Sequence, residues 1–334
     1  MPDISVVISA YNAEATLAAC LRAFELARSD RSAFEVILVD DGSTDRTADI
    51  CRKFAAAGAF ELRYILNDRK NGFGPGFARN LGLKQARGRI IACTDADCVV
   101  DEGWLAAIDD AVRRRGLALV GGETWCDEPV IFPWKMSPAG QRGITANLAF
   151  DREKAGETFF DTGFRGYYGE DSDFICRLEG RGLELHHEPA MRVFHPVRRM
   201  TLAQVARRVI WRKNEVKLFK LYGRRAAAGM HQFFRPLIGG RVSPATLAFL
   251  AGLAVIVAAA LRPAWLPVLA VLIVVLAVVF LLGPYRLCVV YAPPGPVSVP
   301  LADRLRTLVN VVIYIPCFVC ARVAGSLENR FLML

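Results

Sequence analysis

"FEVILVDDGSTDRTADICRKFAAAG", residues 34–58, contains one complete strand–turn–helix unit. Its opening run, "FEVILV", is apolar apart from Glu35, rich in β-branched residues and too short for a helix, so it reads as a buried strand. The run ends on Asp40 and Asp41 and turns at Gly42. Ser43 or Thr44 is placed to cap the helix that follows, and Gly58 to end it. The same unit recurs on both sides. "ISVVIS" (4–9) reads as a strand, and "NAEATLAACLRAFELAR" (12–28) as a helix with Asn12 as its cap. "LRYILN" (62–67) is a third strand, "GPGFARNLGLKQARG" (74–88) a loop entering a helix, and residues 89–94 a fourth strand closed by Asp95 and Asp97.

Further on, "WLAAIDDAVRRRG" (104–116) predicts a helix, "LALVGGETW" (117–125) a strand, and 126–144 an irregular stretch with three prolines. "ITANLAFDRE" (144–153) is a short strand-like piece, and "YYGEDSDFICRLEGRG" (167–182) starts on acids and continues as a helix. "LELHHEPAMRVFH" (183–195) alternates like an exposed edge strand. Apolar strands alternating with amphipathic helices give an α/β fold with a Rossmann-like, mostly parallel sheet covered on both faces. Ligands of such sheets bind beyond the carboxyl ends of the strands. The chain places Tyr11 and Asn12, Asp40 and Asp41, and Asp95 and Asp97 at those ends.

Composition is uneven over the 334 residues. The net charge of +9 comes mostly from the Arg- and Lys-rich segment after about residue 195, which suggests an anionic surface as its partner. Strongly apolar segments follow it, so a lipid surface fits better than nucleic acid. The nine cysteines are scattered. Cys317 and Cys320 form a C-x-x-C without a second pair, and buried thiols in a reducing compartment are the expectation. "MPDISVVISAYN" has neither a basic n-region nor a long apolar h-region, so no signal peptide is expected and the first half should stay in the cytosol.

Two carboxylates one residue apart at a strand end repel each other and are costly to desolvate, so something positive should meet them. One can face a divalent cation while the other accepts from a sugar or ribose hydroxyl. Mg²⁺ and Mn²⁺ suit a site with few protein carboxylates, completing their shells with phosphate oxygens and water. There is no P-loop signature, and "GFGPGFARN" has the wrong spacing and place for a dinucleotide fingerprint, so a P-loop nucleotidase and a Rossmann dehydrogenase are poorly supported. Each motif also has a plain structural reading. "VDDGSTD" suits a turn with a cap, "EDSD" an acidic helix start favoured by the helix dipole, Arg79 a surface side chain, and His186 and His187 a solvated strand.

Four stretches in order, "SVVISAYNAEATLAACL", "FEVILVDDGSTDRT", "GFARNLGLKQARGRIIACTDADC" and "GYYGEDSDFICRLEGRG", resemble the catalytic domain of glycosyltransferase family 2, the GT-A fold of nucleotide-diphospho-sugar transferases, across residues 4–195. The resemblance implies a donor pocket bordered by Ala10 and Tyr11, with Asp40 and Asp41 on base and ribose. It further implies Arg79 and Asn80 lining the pocket, Asp95 with Ala96 at the ribose or donor sugar, and Asp97 as ligand of a divalent metal, Mg²⁺ or Mn²⁺. His195 falls where some relatives hold a histidine near the metal; Asp171 would be the catalytic base and Glu170 would help bind acceptor or sugar. The implied reaction moves one sugar, with inversion, from a UDP- or GDP-sugar. Two rivals stand beside it: a sugar-phosphate nucleotidyltransferase, which would need a basic Gly-rich loop that "SAYNAEAT" lacks, and a non-catalytic membrane scaffold.

Three regions are expected: a catalytic domain at 1–197, a basic amphipathic membrane-interface segment at 198–243, and a transmembrane region at 244–334. From Arg198 to Arg225 ten Arg or Lys accompany one acid, Glu215, with apolar residues at helical spacing, which suits a helix in the headgroup region or a solvated charged helix. "QVARR" (204–208) is similar to the Q-x-x-R-W motif of processive relatives, but Arg208 takes the Trp position, which favours single-sugar transfer. Residues 245–261 and 264–282 match the length of bilayer spans, and about 307–325 is a third candidate weakened by Asn310 and Pro316. Basic residues before the first span place the catalytic domain on the cytoplasmic side of a plasma membrane, with a lipid, polyprenyl phosphate or glycan intermediate as acceptor.

Overall fold

The computed structural model describes residues 1–27, 33–68, 72–131, 134–138, 143–164, 168–223, 289–293 and 299–329. They form two compact units, Met1–Cys126 with Pro138–Pro196, and Asp127–Ser137 with Val197–Leu334. The expected spans 245–261 and 264–282 lie outside the described residues.

The first unit is built from β1 (Ile4–Ala10), α1 (Leu17–Leu26), β2 (Phe34–Asp40), α2 (Thr47–Ala57), β3 (Glu61–Leu66), α3 (Pro75–Gln85), β4 (Ile90–Asp95), β5 (Val99–Val100), α4 (Trp104–Asp109) and β6 (Leu119–Trp125). β7 (Val130–Ile131) and β8 (Lys135–Met136) belong to the second unit; β9 (Leu148–Asp151), α5 (Arg152–Ala155), α6 (Glu170–Gly180) and β10 (Leu185–Phe194) return to the first. Its sheet runs β3-β2-β1-β4-β9-β6-β10-β5. β1, β2, β3 and β4 are parallel neighbours, as are β6 and β10, while β9 and β5 pair antiparallel.

The near-continuous apolar strands are buried on both sides. Ile4, Val6 and Ile8 of β1 join Leu17, Leu21 and Phe24 of α1 and Trp104 and Ile108 of α4 in one core layer. Val7, Ile37 and Val39 face the opposite way, into a layer with Ala78 and Leu83 of α3 and Phe174 and Leu178 of α6. A fully buried aliphatic side chain contributes about 1.5–3 kcal/mol, so these two layers supply most of what holds the sheet. α3 lies close against β1 because of Gly82, where an added Cβ would sit 2.5 Å from Val7 Cγ1.

Several local expectations are corrected. Asn12 does not cap α1, which begins at Leu17; it sits at φ +48°, a left-handed conformation Asn tolerates, and its Oδ1 accepts from Thr44 N. Ser43 and Thr44 do not cap α2. Asp45 instead accepts from the N–H of Thr47, and Ser43 Oγ accepts from Asn12 N. The polar residues after β1 and β2 thus tie the two loops to each other, which displaces the helix starts. Gly58 ends α2 in the left-handed conformation, as expected. The helix from Trp104 loosens into a π turn at Asp110–Arg114. β10 is not an edge strand but lies between β6 and β5. Its register against β6 breaks between Glu188 and Arg192, around Pro189, which has no N–H to offer a ladder.

The second unit has a small sheet in the order β11-β8-β7-β12, with β11 at Arg198–Arg199 and β12 at Val289–Tyr291. The irregular stretch therefore contributes β7 and β8 to this unit, although it falls inside the expected 1–197 domain. The basic segment forms α7 (Leu202–Val209), a 3₁₀ turn (Ile210–Lys213) and α8 (Asn214–Tyr222). Gln204 of the Q-x-x-R stretch completes a capping box with Thr201. Val205 and Val209 are buried with Trp134 and Met200, so much of the apolar side of these helices is covered by their own unit. α9 (Leu301–Asn329) packs on α7 and α8. Its Thr307 Oγ1 accepts from Trp134 Nε1 at 2.9 Å, and the Arg306 guanidinium lies 4.4 Å above the Trp134 ring. Among the described residues no helix is long and apolar enough to cross a membrane, so a third span at about 307–325 is not supported. That segment is part of α9, whose polar Thr307 and Asn310 are buried.

Candidate active site

The strand ends of the first unit bring the expected residues together in two groups. The first group centres on Arg79, which α3 carries to the ends of β4 and α6. Its guanidinium is 2.8 Å from Asp95 Oδ1, 3.4 Å from Glu170 Oε1 and 3.5 Å from Asp171 Oδ1. It also lies over the Phe160 ring, 5.7 Å from the centroid. Arg79 is therefore no surface side chain, being only 4% exposed, and it is the positive group that the clustered acids require. Burial alone would lower its pKa, but Asp95, Asp171 and Glu170 raise it, so it stays charged. Glu170 and Asp171 differ. Glu170 is 8% exposed and Asp171 24%, so Asp171 is the one that can meet a substrate. Burial first, and then the Asp171 carboxylate, push the Glu170 carboxyl up to about 8 against the pull of Arg79. Burial also raises Asp95, opposed by Arg79 and reinforced by Asp97 and Asp171.

Asp171 has a partner that sequence reasoning missed. Thr145 opens a short 3₁₀ turn, Thr145–Asn147, and gives its N–H to Asp171 Oδ2 at 3.1 Å and its hydroxyl to Oδ1 at 2.9 Å. A buried threonine 26 residues upstream of an acid carries no local signal for this.

The second group could hold a cation. Ligand atoms of Asp95, Asp97, Cys98 and His195 all lie within 4.8 Å of one another. His195 Nδ1 is 2.9 Å from the Pro196 carbonyl, which only accepts, so Nδ1 carries the proton. In the neutral ring this turns the Nε2 lone pair toward Asp97 Oδ2, 3.4 Å away. Two acceptors facing each other repel unless a proton or a cation lies between them. One carboxylate and one imidazole fit Mn²⁺, and carboxylates fit Mg²⁺. Cys98, also unforeseen, has its thiol held well above the usual range by burial and then by Asp95 and Asp97, and so stays protonated.

At the other strand ends, Asp40 is buried and accepts from Tyr64 Oη at 2.8 Å and from Ser43 N at 2.8 Å. Asp41 accepts from Asn67 Nδ2 at 2.7 Å and from Gly74 N at 2.8 Å, which fixes the start of α3. Ala10 at the end of β1 accepts from Asp41 N, and Ala96 accepts from Thr16 Oγ1. Tyr11 is exposed beside them. Asn80 has both ends of its amide bonded to the backbone of Phe160, so it anchors the 158–164 loop to α3.

Acids at the carboxyl ends of a parallel-rich sheet, gathered around a buried arginine and a carboxylate–imidazole pair, define a nucleotide-sugar transferase fold of the GT-A kind. Residues 5–172 match the family described as Glycosyl transferase family 2, and the chain belongs to that family. It is 43% identical over 96 residues to the undecaprenyl-phosphate 4-deoxy-4-formamido-L-arabinose transferase of Pseudomonas paraeruginosa, covering 28% of this chain and 27% of that protein. The first curated relatives are matched over only 27–39% of their length. Among solved structures, the fold is similar to S. aureus TarS 1–349 in complex with UDP-GlcNAc (TM-score 0.52, 14% identity, 99% of this chain and 93% of that one). It is also similar to the mannosyltransferase PcManGT of Pyrobaculum calidifontis in complex with GDP-Man and Mn²⁺ (TM-score 0.50, 20% identity, 98% and 87%).

Proposed function

We propose that this chain is an inverting, metal-dependent glycosyltransferase that moves a single sugar from a UDP- or GDP-sugar to a membrane-associated acceptor, a lipid, polyprenyl phosphate or glycan intermediate. The observation that carries the reading is the convergence of Asp171 and Arg79 with Asp95 at the end of β4, where Asp97 and His195 also meet. Asp97 and His195 are the residues that would hold a divalent cation, which when bound offsets charge developing on the diphosphate leaving group. Tyr11 and Asp41 border the place of the nucleoside, and Asp95 faces the ribose or donor sugar. Asp171 takes the proton of the acceptor hydroxyl as that oxygen attacks the anomeric carbon. One base on one face, with in-line displacement, inverts the configuration.

The membrane-side acceptor is supported by two features. A relative is named for transfer to undecaprenyl phosphate. Within the second unit, Leu301, Leu305, Val309, Val323 and Leu327 recur on one side of α9 and are exposed, beside helices bearing exposed Arg207 and Arg208. The basic segment ahead of residues 245–261 fits a multi-pass plasma-membrane protein with its catalytic domain in the cytoplasm.

The test is a panel of UDP- and GDP-sugars offered to the full chain in liposomes containing polyprenyl phosphate, with Mn²⁺ or with EDTA. Transfer should need the metal and the lipid. Asp171→Asn should lower turnover about 10²–10⁴-fold with little change in donor KM. Unchanged turnover removes Asp171 from the reaction, and equal transfer to soluble sugars without lipid removes the membrane acceptor.

A further inference from the structure

We infer that Thr145 is a positioning residue that decides which of two adjacent carboxylates is the base, and which of its oxygens takes the proton. This rests on the reading of Asp171 as the proton acceptor. Glu170 and Asp171 are neighbours on the first turn of α6, share Arg79 as counter-charge and stand near Asp95 of β4. Two such acids in one pocket resist ionising together. What distinguishes them is Thr145, which is fully buried and gives both of its donors to Asp171. Hydrogen bonds to a carboxylate favour its charged form, and Thr145 gives both of its donors to Asp171 and neither to Glu170. Burial and the neighbouring charge leave Glu170 as the acid that holds a proton more readily.

The geometry also selects an atom. A carboxylate oxygen has two lone-pair sites. Asp171 Oδ1 meets both the Thr145 hydroxyl and Arg79, whereas Oδ2 meets the Thr145 N–H. Oδ2 is therefore the oxygen with a site left for a proton. In the transfer step the acceptor O–H bond breaks and its proton goes to Oδ2. The acceptor oxygen forms the bond to the anomeric carbon, and the bond from that carbon to the diphosphate breaks with its electron pair. The charged and titratable groups around Asp171 are Arg79 from α3, Asp95 and Cys93 from β4, and Glu170 on its own helix.

The test compares Thr145→Val, Thr145→Ala and Thr145→Ser with wild type and with Asp171→Asn, using kcat and donor KM of the full chain from pH 5 to 9. Val and Ala keep the backbone N–H and lose the hydroxyl; Ser keeps both. Losing a hydrogen bond to a charged group raises the base by about one pH unit. In both the Val and Ala variants the acid limb of kcat should move up by that amount. On that limb turnover should fall up to about tenfold and recover as pH rises, with donor KM within twofold of wild type. The Ser variant should keep the wild-type profile. An acid limb left in place overturns the inference, whether turnover is unchanged or lowered equally at all pH values. If the Val variant does not fold, the Ala variant decides by the same criterion. Full activity of Asp171→Asn would instead overturn the underlying assignment of the base.

Discussion

Replacing Arg79 by methionine should destabilise the first unit severely, and the loss should depend on pH. Methionine keeps much of the buried volume while removing the guanidinium. Arg79 is 4% exposed and holds Asp95, Glu170 and Asp171 at 2.8, 3.4 and 3.5 Å, so water does not replace it. Removing one partner of a buried ion pair costs about 3–5 kcal/mol, because the remaining charge stays uncompensated. For a unit of this size each kcal/mol moves Tm by about 2–4 °C, so a fall of about 6–20 °C is expected at pH 8. The sign with pH follows from the acids left behind. Asp95 and Glu170 already lie above their ordinary values, and without the opposing pull of Arg79 they rise further, so the folded state binds protons more tightly. Stability is then lost as pH rises and regained as pH falls. The gap between variant and wild type should therefore narrow at pH 5. Thermal unfolding of the full chain, followed by near-UV circular dichroism at both pH values, measures this. Arg79→Lys should recover only part of the loss, since an ammonium cannot reach three carboxylates as a planar fork does. A methionine variant melting within 2 °C of wild type at pH 8, or a gap that widens on acidification, would refute the role of Arg79 as the counter-charge.

Glu35 gives a second pH effect of opposite sense. Burial would raise its carboxyl, but donation from Ser5, Arg87 and Arg63 outweighs this and holds it below the ordinary value. A depressed carboxylate stabilises the fold above its unfolded value near 4.5, and that contribution is lost as pH falls through the folded value. Glu35→Gln should cost about 1–3 kcal/mol at pH 7 and flatten the decline in Tm between pH 6 and 3; parallel Tm curves would count against it. At the other end of the sheet, Asp97→Asn and His195→Ala should each weaken Mn²⁺ binding at least about tenfold, read by the electron paramagnetic resonance of free Mn²⁺. Both variants binding Mn²⁺ as wild type does would exclude this pair as the cation site.

Much of the fold was legible because its strands announce themselves. Ile4–Ala10, Phe34–Asp40 and Ile90–Asp95 are apolar runs of strand length, each ending on small or acidic residues, and a parallel sheet buried on both faces requires such runs. What misled was local polarity. Asn12, Ser43 and Thr44 have the chemistry of helix caps, but two loops side by side used them to satisfy one another. β10 looked like an edge because residues 183–195 alternate, yet it lies inside the sheet, and a break in register is what lets Pro189 sit there. The acids of the site were legible as strand-end carboxylates. Their partners were not, since Thr145, Cys98 and the bidentate hold of Asn80 on Phe160 arise only once distant segments meet.

The same physics explains why the site lies where it does. Asp95, Asp97, Glu170 and Asp171 cannot share a pocket in the middle of the apolar layers, where each ionised group would lose its hydration without return. At the rim of the sheet the strand bodies have already buried their apolar residues on both faces, and the repelling acids are held there by Arg79 and Thr145 in one direction and meet at the Asp97–His195 junction in the other. The two arrangements answer different needs. A guanidinium fixed by three carboxylates cannot leave, so it shapes the pocket permanently. A carboxylate oxygen facing an imidazole nitrogen can also take up something that comes and goes, a proton or a cation. A permanent charge thus sits beside Asp171, and the place for an exchangeable one lies at the Asp97–His195 junction.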